Sequence, residues 1–139
     1  MSSCILCDIV RGDAEGSFVY RDDVVSAFLD IKPVNPGHLL MIPNEHVQLI
    51  RDVPAGVRQL LFEFAIRIGE ALRAAERADG FDLFLADGEA AGQETPHAHV
   101  HVIPRFKGDG FTIDARAWKE PQPSRAELDQ LAEEISSAM

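Results

Sequence analysis

The chain is short of cysteine and of positive charge, and it has no long hydrophobic run. Two cysteines in 139 residues are too few for a disulfide-stapled scaffold, and a chain of this length buries enough surface to fold without one. Lys and Arg number 13 against 23 Asp and Glu, a formal net charge of −10. Such a surface repels phosphate backbones and anionic headgroups, which argues against nucleic acid or a membrane as partner. One bound nucleotide is still allowed, because a single pocket on an acidic protein can be locally positive. No apolar run approaches the roughly 20 residues of a membrane span. The N-terminus, MSSCILCDIV, lacks the basic start and long apolar stretch of a signal peptide. A cytoplasmic protein is therefore expected, and in a reducing compartment Cys4 and Cys7, three apart, suggest metal or redox chemistry.

What is present is an ordinary globular composition, 46% hydrophobic and 26% charged, with no internal repeat or linker. One domain over residues 1–139 is expected. Phe18–Tyr20 and Val24–Leu29 are β-prone runs around Asp22-Asp23, a plausible hairpin. The turn-forming stretch Pro33–Gly37 leads into an apolar run, His38–Ile42, that stops at Pro43. From about Pro54 to Asp79, Val57, Leu60, Leu61, Phe64, Ile68 and Leu72 make one apolar stripe of a long helix that Gly80 would stop. Phe62 and Ile66 fall outside that stripe, near Gly69, a second apolar strip that fits a homodimer surface. Strands are expected over Phe81–Ala86 and His97–Ile103, and Ser124 with Glu127 opens a C-terminal helix over about 124–138. The order β-β-β-α-β-β-α predicts an α+β fold with a mainly antiparallel sheet.

The five histidines occupy two segments. His38 and His46 flank one strand, and His97, His99 and His101 alternate along another. Alternate strand residues share a face, so the three imidazoles line one side while Ala98, Val100 and Val102 face the core. Stacked imidazoles bring no packing advantage over Val or Thr. Two functional readings fit the row: a metal site, or a nucleophilic imidazole tuned by its neighbours and aimed at an electrophile such as phosphorus. Spacing alone does not choose.

Gly92-Gln93-Glu94-Thr95-Pro96-His97-Ala98-His99-Val100-His101-Val102-Ile103-Pro104-Arg105 resembles the signature of the histidine triad (HIT) family. Asp30–His38, Ile42-Pro43 and Glu45-His46-Val47 resemble its second block, and Cys4–Val10 the N-terminus of its zinc-containing bacterial members. The motif-bearing part runs over about 4–106. The resemblance implies a five-stranded HIT-like fold that dimerises, and attack on the α-phosphorus of a nucleoside phosphate through a covalent nucleotidyl-histidine. His99 would be the nucleophile, with His101 and His38 contacting phosphate and assisting the leaving group. Asp30 would hold the ribose, Leu6, Ile9, Phe28 and Ile31 the purine base, and Gly92, Gln93 and Glu94 the phosphate. In the members that carry the cysteines, the other two metal ligands match His46 and His97. One structural zinc per chain on Cys4, Cys7, His46 and His97 is thus implied, and a site with four protein ligands has no open position for substrate.

Two positions depart from better-known members. Ala86 stands where an amide often helps hold substrate, and Glu94 where Ser or Thr often contacts the leaving group or phosphate. A carboxylate beside a phosphate is awkward unless it is protonated, turned away or paired. Glu94 would otherwise bond a triad imidazole or favour a basic leaving group. Substrates implied are dinucleoside polyphosphates or nucleoside phosphoramidates and adenylates. Arg105 and Lys107, just after the triad, tilt the choice toward polyphosphates as neutralising cations. Two alternatives stand beside the hydrolase: a zinc-containing nucleotide-binding or adaptor protein with little catalysis, and an enzyme with a catalytic metal on the triad.

Overall fold

In the computed structural model, residues 4–113 and 122–139 are described, and they fall into two compact units, Met1–Asp109 and Gly110–Met139. The first holds helix α1 (Ile5–Arg11), strands β1 (Phe18–Arg21), β2 (Val25–Leu29) and β3 (Leu39–Pro43), helix α2 (Ala55–Ala74), and strands β4 (Gly80–Phe84) and β5 (Val100–Arg105). The strands form one antiparallel sheet in the order β1-β2-β3-β5-β4. The expected α+β class, five-stranded sheet and long helix are all observed.

Asp22 sets the first hairpin. Its Oδ1 accepts from the backbone amides of Val24 and Val25 at 2.7 and 2.8 Å, the Asx turn that makes aspartate a turn residue. β2 and β3 are joined through the Pro33–Gly37 turn. Gly37 sits at φ 100°, a conformation open to glycine without strain.

Alternation then divides the sheet into two faces. Val25, Ala27, Leu39, Met41, Val100 and Val102 are buried together with Leu61, Ala65 and Ile68 of α2. Ala98 joins them, as its place in the alternating row predicts. On the second face, Phe28 and Ile42 pack with Cys4 and Leu6 at the α1 end of the sheet. On that face, one ladder row pairs Phe28 with Leu40, Leu40 with His101 and His101 with Phe84.

Several element bounds differ from the expected ones, each for a local reason. Helix α2 stops at Ala74 rather than near Asp79, because Glu76 adopts φ 58° and the Arg77 amide bonds back to the Leu72 carbonyl at 2.8 Å. This is a Schellman stop with glutamate in the place glycine usually holds. Strand β5 starts at Val100, so His97 and His99 precede the ladder, although the Ala98 amide still bonds the Val47 carbonyl at 2.6 Å. Helix α1, absent from the expected element order, has no side-chain cap at Cys4 and ends at Gly12, left-handed at φ 86°. Gly69, the neighbour of the expected second strip, is buried against the Phe81 ring. Phe62 and Ile66 are exposed.

In the second unit, helix α3 (Arg125–Ala138) begins at Ser124, whose Oγ accepts from the Glu127 amide at 3.2 Å. The Ser124 hydroxyl in turn donates to the Glu127 carboxylate at 3.0 Å. Glu127 thus meets the serine side chain, where the expected capping box would take it to the backbone amide.

Candidate active site and metal centre

The five histidines separate into two groups that meet at His97. Its ring is wholly buried, and its Nε2 donates to the Pro43 carbonyl at 2.8 Å. With that proton on Nε2, the Nδ1 lone pair faces the cysteines, 3.5 Å from both Cys4 Sγ and Cys7 Sγ. His46 Nδ1 lies 3.3 Å from Cys7 Sγ. All four ligand atoms fall within 4.8 Å of one another. A tetrahedral zinc with bonds of about 2.3 Å to sulfur and 2.0–2.1 Å to nitrogen sets sulfur and nitrogen roughly 3.5 Å apart. The donor set therefore fits zinc in both chemistry and spacing. The carbonyl behind His97 is the outer-shell partner that zinc-bound imidazoles ordinarily have. Without a cation, burial and the neighbouring Cys4 push the Cys7 thiol up to about 11; a dication relieves that by stabilising the thiolates.

Two of the other three histidines, His99 and His101, line a cleft of about 460 Å³. The ladder row Phe28–Leu40–His101–Phe84 contributes all four of its side chains to the lining. Leu6 and Ile9 from α1 join Phe28 and Ile31 there, with Asp30 beside them. Ile31 is 92% exposed at the rim. The loop Gly92–Thr95 and buried Ala86 supply further wall. The structure thus brings the apolar residues, the acid, the loop and the triad pair expected from sequence into one cavity. His38 is buried and reaches it through His101.

Hydrogen bonds assign the protons. The Val34 amide donates to His38 Nδ1 at 3.0 Å, so neutral His38 carries its proton on Nε2. That Nε2 lies 2.9 Å from His101 Nδ1 and donates to it. Neutral His101 then holds its own proton on Nε2. His99 is set the opposite way: its Nδ1 donates to the His97 carbonyl at 2.7 Å, leaving the Nε2 lone pair available. Burial, reinforced by the charges of His99 and His38, pushes His101 down to about 4. Burial lowers His38 too, against an opposing pull from Asp30, whose Oδ2 is 3.7 Å from His38 Nε2. Both rings are neutral at pH 7. Asp30, His38 and His101 also present ligand atoms within 4.8 Å of one another, but the short His38–His101 hydrogen bond already uses that space.

The structure corrects two expectations about charge. Arg105 does not line the cleft: its guanidinium bonds Asp82 at 2.7 Å and Asp109 at 2.8 Å. Lys107 does not line it either. Gln93 is present, but its amide is occupied. Oε1 accepts from the Gly88 amide at 2.8 Å, and Nε2 donates to the Gln48 and Thr95 carbonyls at 2.9 and 3.1 Å. It staples the loop, a role that residue type alone does not reveal. Sequence reasoning also missed the backbone donors and acceptors, Val34 amide and His97 and Pro43 carbonyls, for which no side-chain signal exists.

The sequence profile of the HIT domain matches residues 11–108. The chain belongs to the HIT family. A zinc-bound histidine triad family protein from Mycobacterium smegmatis is 34% identical and superposes with a TM-score of 0.76 over 99% of this chain and 98% of its own. An adenylylsulfatase of Arabidopsis thaliana is 34% identical over 108 residues, 78% of this chain and 55% of the plant protein. An asymmetrical bis(5′-nucleosyl)-tetraphosphatase of Schizosaccharomyces pombe is 32% identical over 112 residues, 81% and 61% of the two chains. HIT relatives thus include hydrolases of different nucleoside phosphates.

Proposed function

We propose that this HIT protein hydrolyses or transfers at the α-phosphorus of a purine nucleoside phosphate, with His99 as nucleophile. The observation that carries the reading is the opposed tautomer pattern: a free lone pair on His99 Nε2 beside an N–H on His101 Nε2, in one cleft. His99 Nε2 forms a bond to phosphorus while the bond to the leaving group breaks. The His101 Nε2–H hydrogen-bonds the leaving atom, which takes its proton from solvent as it departs. Water then attacks phosphorus and loses a proton to solvent, the bond from phosphorus to His99 Nε2 breaks, and the nucleoside monophosphate leaves with His99 regenerated. His38 holds His101 in the donating orientation. Asp30 accepts from the ribose hydroxyls, and Leu6, Ile9, Phe28 and Ile31 receive the base. The Gly92-Gln93-Glu94 loop lies along the phosphate.

Zinc held by Cys4, Cys7, His46 and His97 is structural in this reading, since four protein ligands leave no open position. Phe62 and Ile66, exposed on α2, support a homodimer. Two free cysteines fit a reducing cytoplasm. The test is a rapid quench with excess enzyme and an adenosine phosphoramidate, following intact-protein mass. A transient adenylate adduct, absent in His99→Ala, is expected. Turnover that persists in His99→Ala would overturn the proposal, as would an adduct that forms without that side chain. Activity lost on chelation while the fold stays intact would favour a metal on the triad instead.

A further inference from the structure

The cleft has an unusual charge balance for a site that takes a phosphate. Three carboxylates line it, Glu15, Asp30 and Glu94, and among the described residues no Lys or Arg does. The nearest cation in sequence after the triad, Arg105, is held by Asp82 and Asp109. Bound anions of high charge need fixed cations or preorganised donors to replace the water they lose. A polyphosphate leaving group would find acids in that place.

The three carboxylates are not equivalent. Asp30 is occupied locally, accepting from the Lys32 amide at 2.8 Å with its second oxygen turned toward His38. Glu15 follows α1, whose Ile5, Leu6 and Ile9 line the apolar end. Glu94 stands on the loop that runs into the triad, exposed, and makes no hydrogen bond or ion pair with the described residues. It bonds neither triad imidazole, although their Nδ1 atoms alone are engaged and both Nε2 atoms stay open in the cleft. Across the wall, Ala86 offers only a methyl group, and the Gln93 amide is fully engaged. With apolar residues for the base, Asp30 for the sugar and imidazoles for phosphorus, Glu94, the charged side chain of the loop, is left with its neighbour Thr95 to meet whatever lies beyond phosphorus.

We infer that Glu94 is a specificity residue that selects substrates whose leaving group carries a positive charge, a nucleoside 5′-monophosphate joined to an amine-bearing group, over polyphosphate leaving groups. This inference rests on the hydrolase reading above. The chemistry at phosphorus is unchanged: the His99–phosphorus bond forms, the phosphorus–nitrogen bond breaks, and the departing amine, hydrogen-bonded by His101 Nε2–H, takes its proton from solvent. Glu94 contributes a charge that pairs with the cation before and during that step. A solvent-facing ion pair is worth at most about a tenfold preference at low salt and fades as salt screens it.

The test compares adenosine 5′-phosphoramidates of two amines of similar length, one ending in trimethylammonium and one in carboxylate, with diadenosine tetraphosphate as a third substrate. Wild type should favour the cationic substrate over both anionic ones in kcat/KM. In Glu94→Gln the cationic-to-anionic ratio should fall by about three- to tenfold, and in Glu94→Lys it should invert. For wild type alone, the same ratio should shrink as ionic strength rises. A ratio that moves less than threefold in the variants, or is indifferent to salt in wild type, overturns the inference. His99→Ala measured alongside separates the two failures: His99-dependent turnover with no Glu94 effect sinks only the specificity, and turnover independent of His99 sinks the reading beneath it.

Discussion

Removing the imidazole of His101 should change how stability depends on pH. His101 is pushed down from 6.5 to about 4, chiefly by burial. An unfolded chain binds a proton at this position below about pH 6.5, and the folded chain only below about 4. Between those values the unfolded state holds the extra proton, so stability falls as pH falls; it is complete above about pH 6.5 and lost below about 4. A displacement of 2.5 units corresponds to about 3.4 kcal/mol at most, and about 2.5 kcal/mol of it is gone by pH 4.5. Glutamine at 101 keeps a hydrogen-bond acceptor for His38 Nε2 but does not titrate. Urea unfolding of wild type and His101→Gln at pH 7.5, 6, 5 and 4.5, at one fixed zinc concentration, gives the gap between them. The metal ligands titrate in both proteins and cancel in that difference. The gap should shift by about 2.5 kcal/mol against wild type as pH drops from 7.5 to 4.5. A gap that stays constant with pH would refute the burial argument for His101.

Three further perturbations address the frame around the site. Cys4→Ser with Cys7→Ser should abolish zinc binding and lower stability by more than about 2 kcal/mol, several degrees in Tm; wild-type zinc content and Tm would contradict the tetrahedral assignment. A Cβ on Gly69 would stand 2.6 Å from three carbons of the Phe81 ring, so Gly69→Ala should destabilise by about 1 kcal/mol despite its better helix propensity. Adding Phe81→Leu should give less than additive loss in a double-mutant cycle, and strict additivity would place the clash elsewhere. Glu76→Gly should stabilise by about 0.5–1 kcal/mol, because φ 58° strains glutamate and not glycine; a lower Tm for this variant would show that the Glu76 side chain matters more than its backbone.

Much of this structure is written in period and spacing. The stripe Val57, Leu60, Leu61, Phe64, Ile68 and Leu72 packs as a helix stripe should, and Ala98, Val100 and Val102 turn to the core as alternation requires. The helix end was not legible, because it depends on a glutamate in a left-handed conformation that composition argues against. Helix α1 was hidden for a similar reason: a seven-residue helix with no side-chain cap carries little periodic signal. Gln93 reads as a ligand until its three hydrogen bonds to the loop backbone are seen.

The histidine row shows the same limit at the site itself. One period placed His97, His99 and His101 on a common side, yet the strand ladder begins only at Val100. Freed from the ladder, the backbone at His97 serves two groups at once. Its ring Nδ1 faces Cys4 and Cys7, while its carbonyl takes the His99 proton. Zinc held by the ring would restrain the peptide whose oxygen orients the nucleophile. With zinc bound, a change at Cys4 would therefore reach His99 through His97 and no substrate contact. His97 is thus the residue at which the cysteine pair and the triad, 90 residues apart for Cys7 and His97, come together.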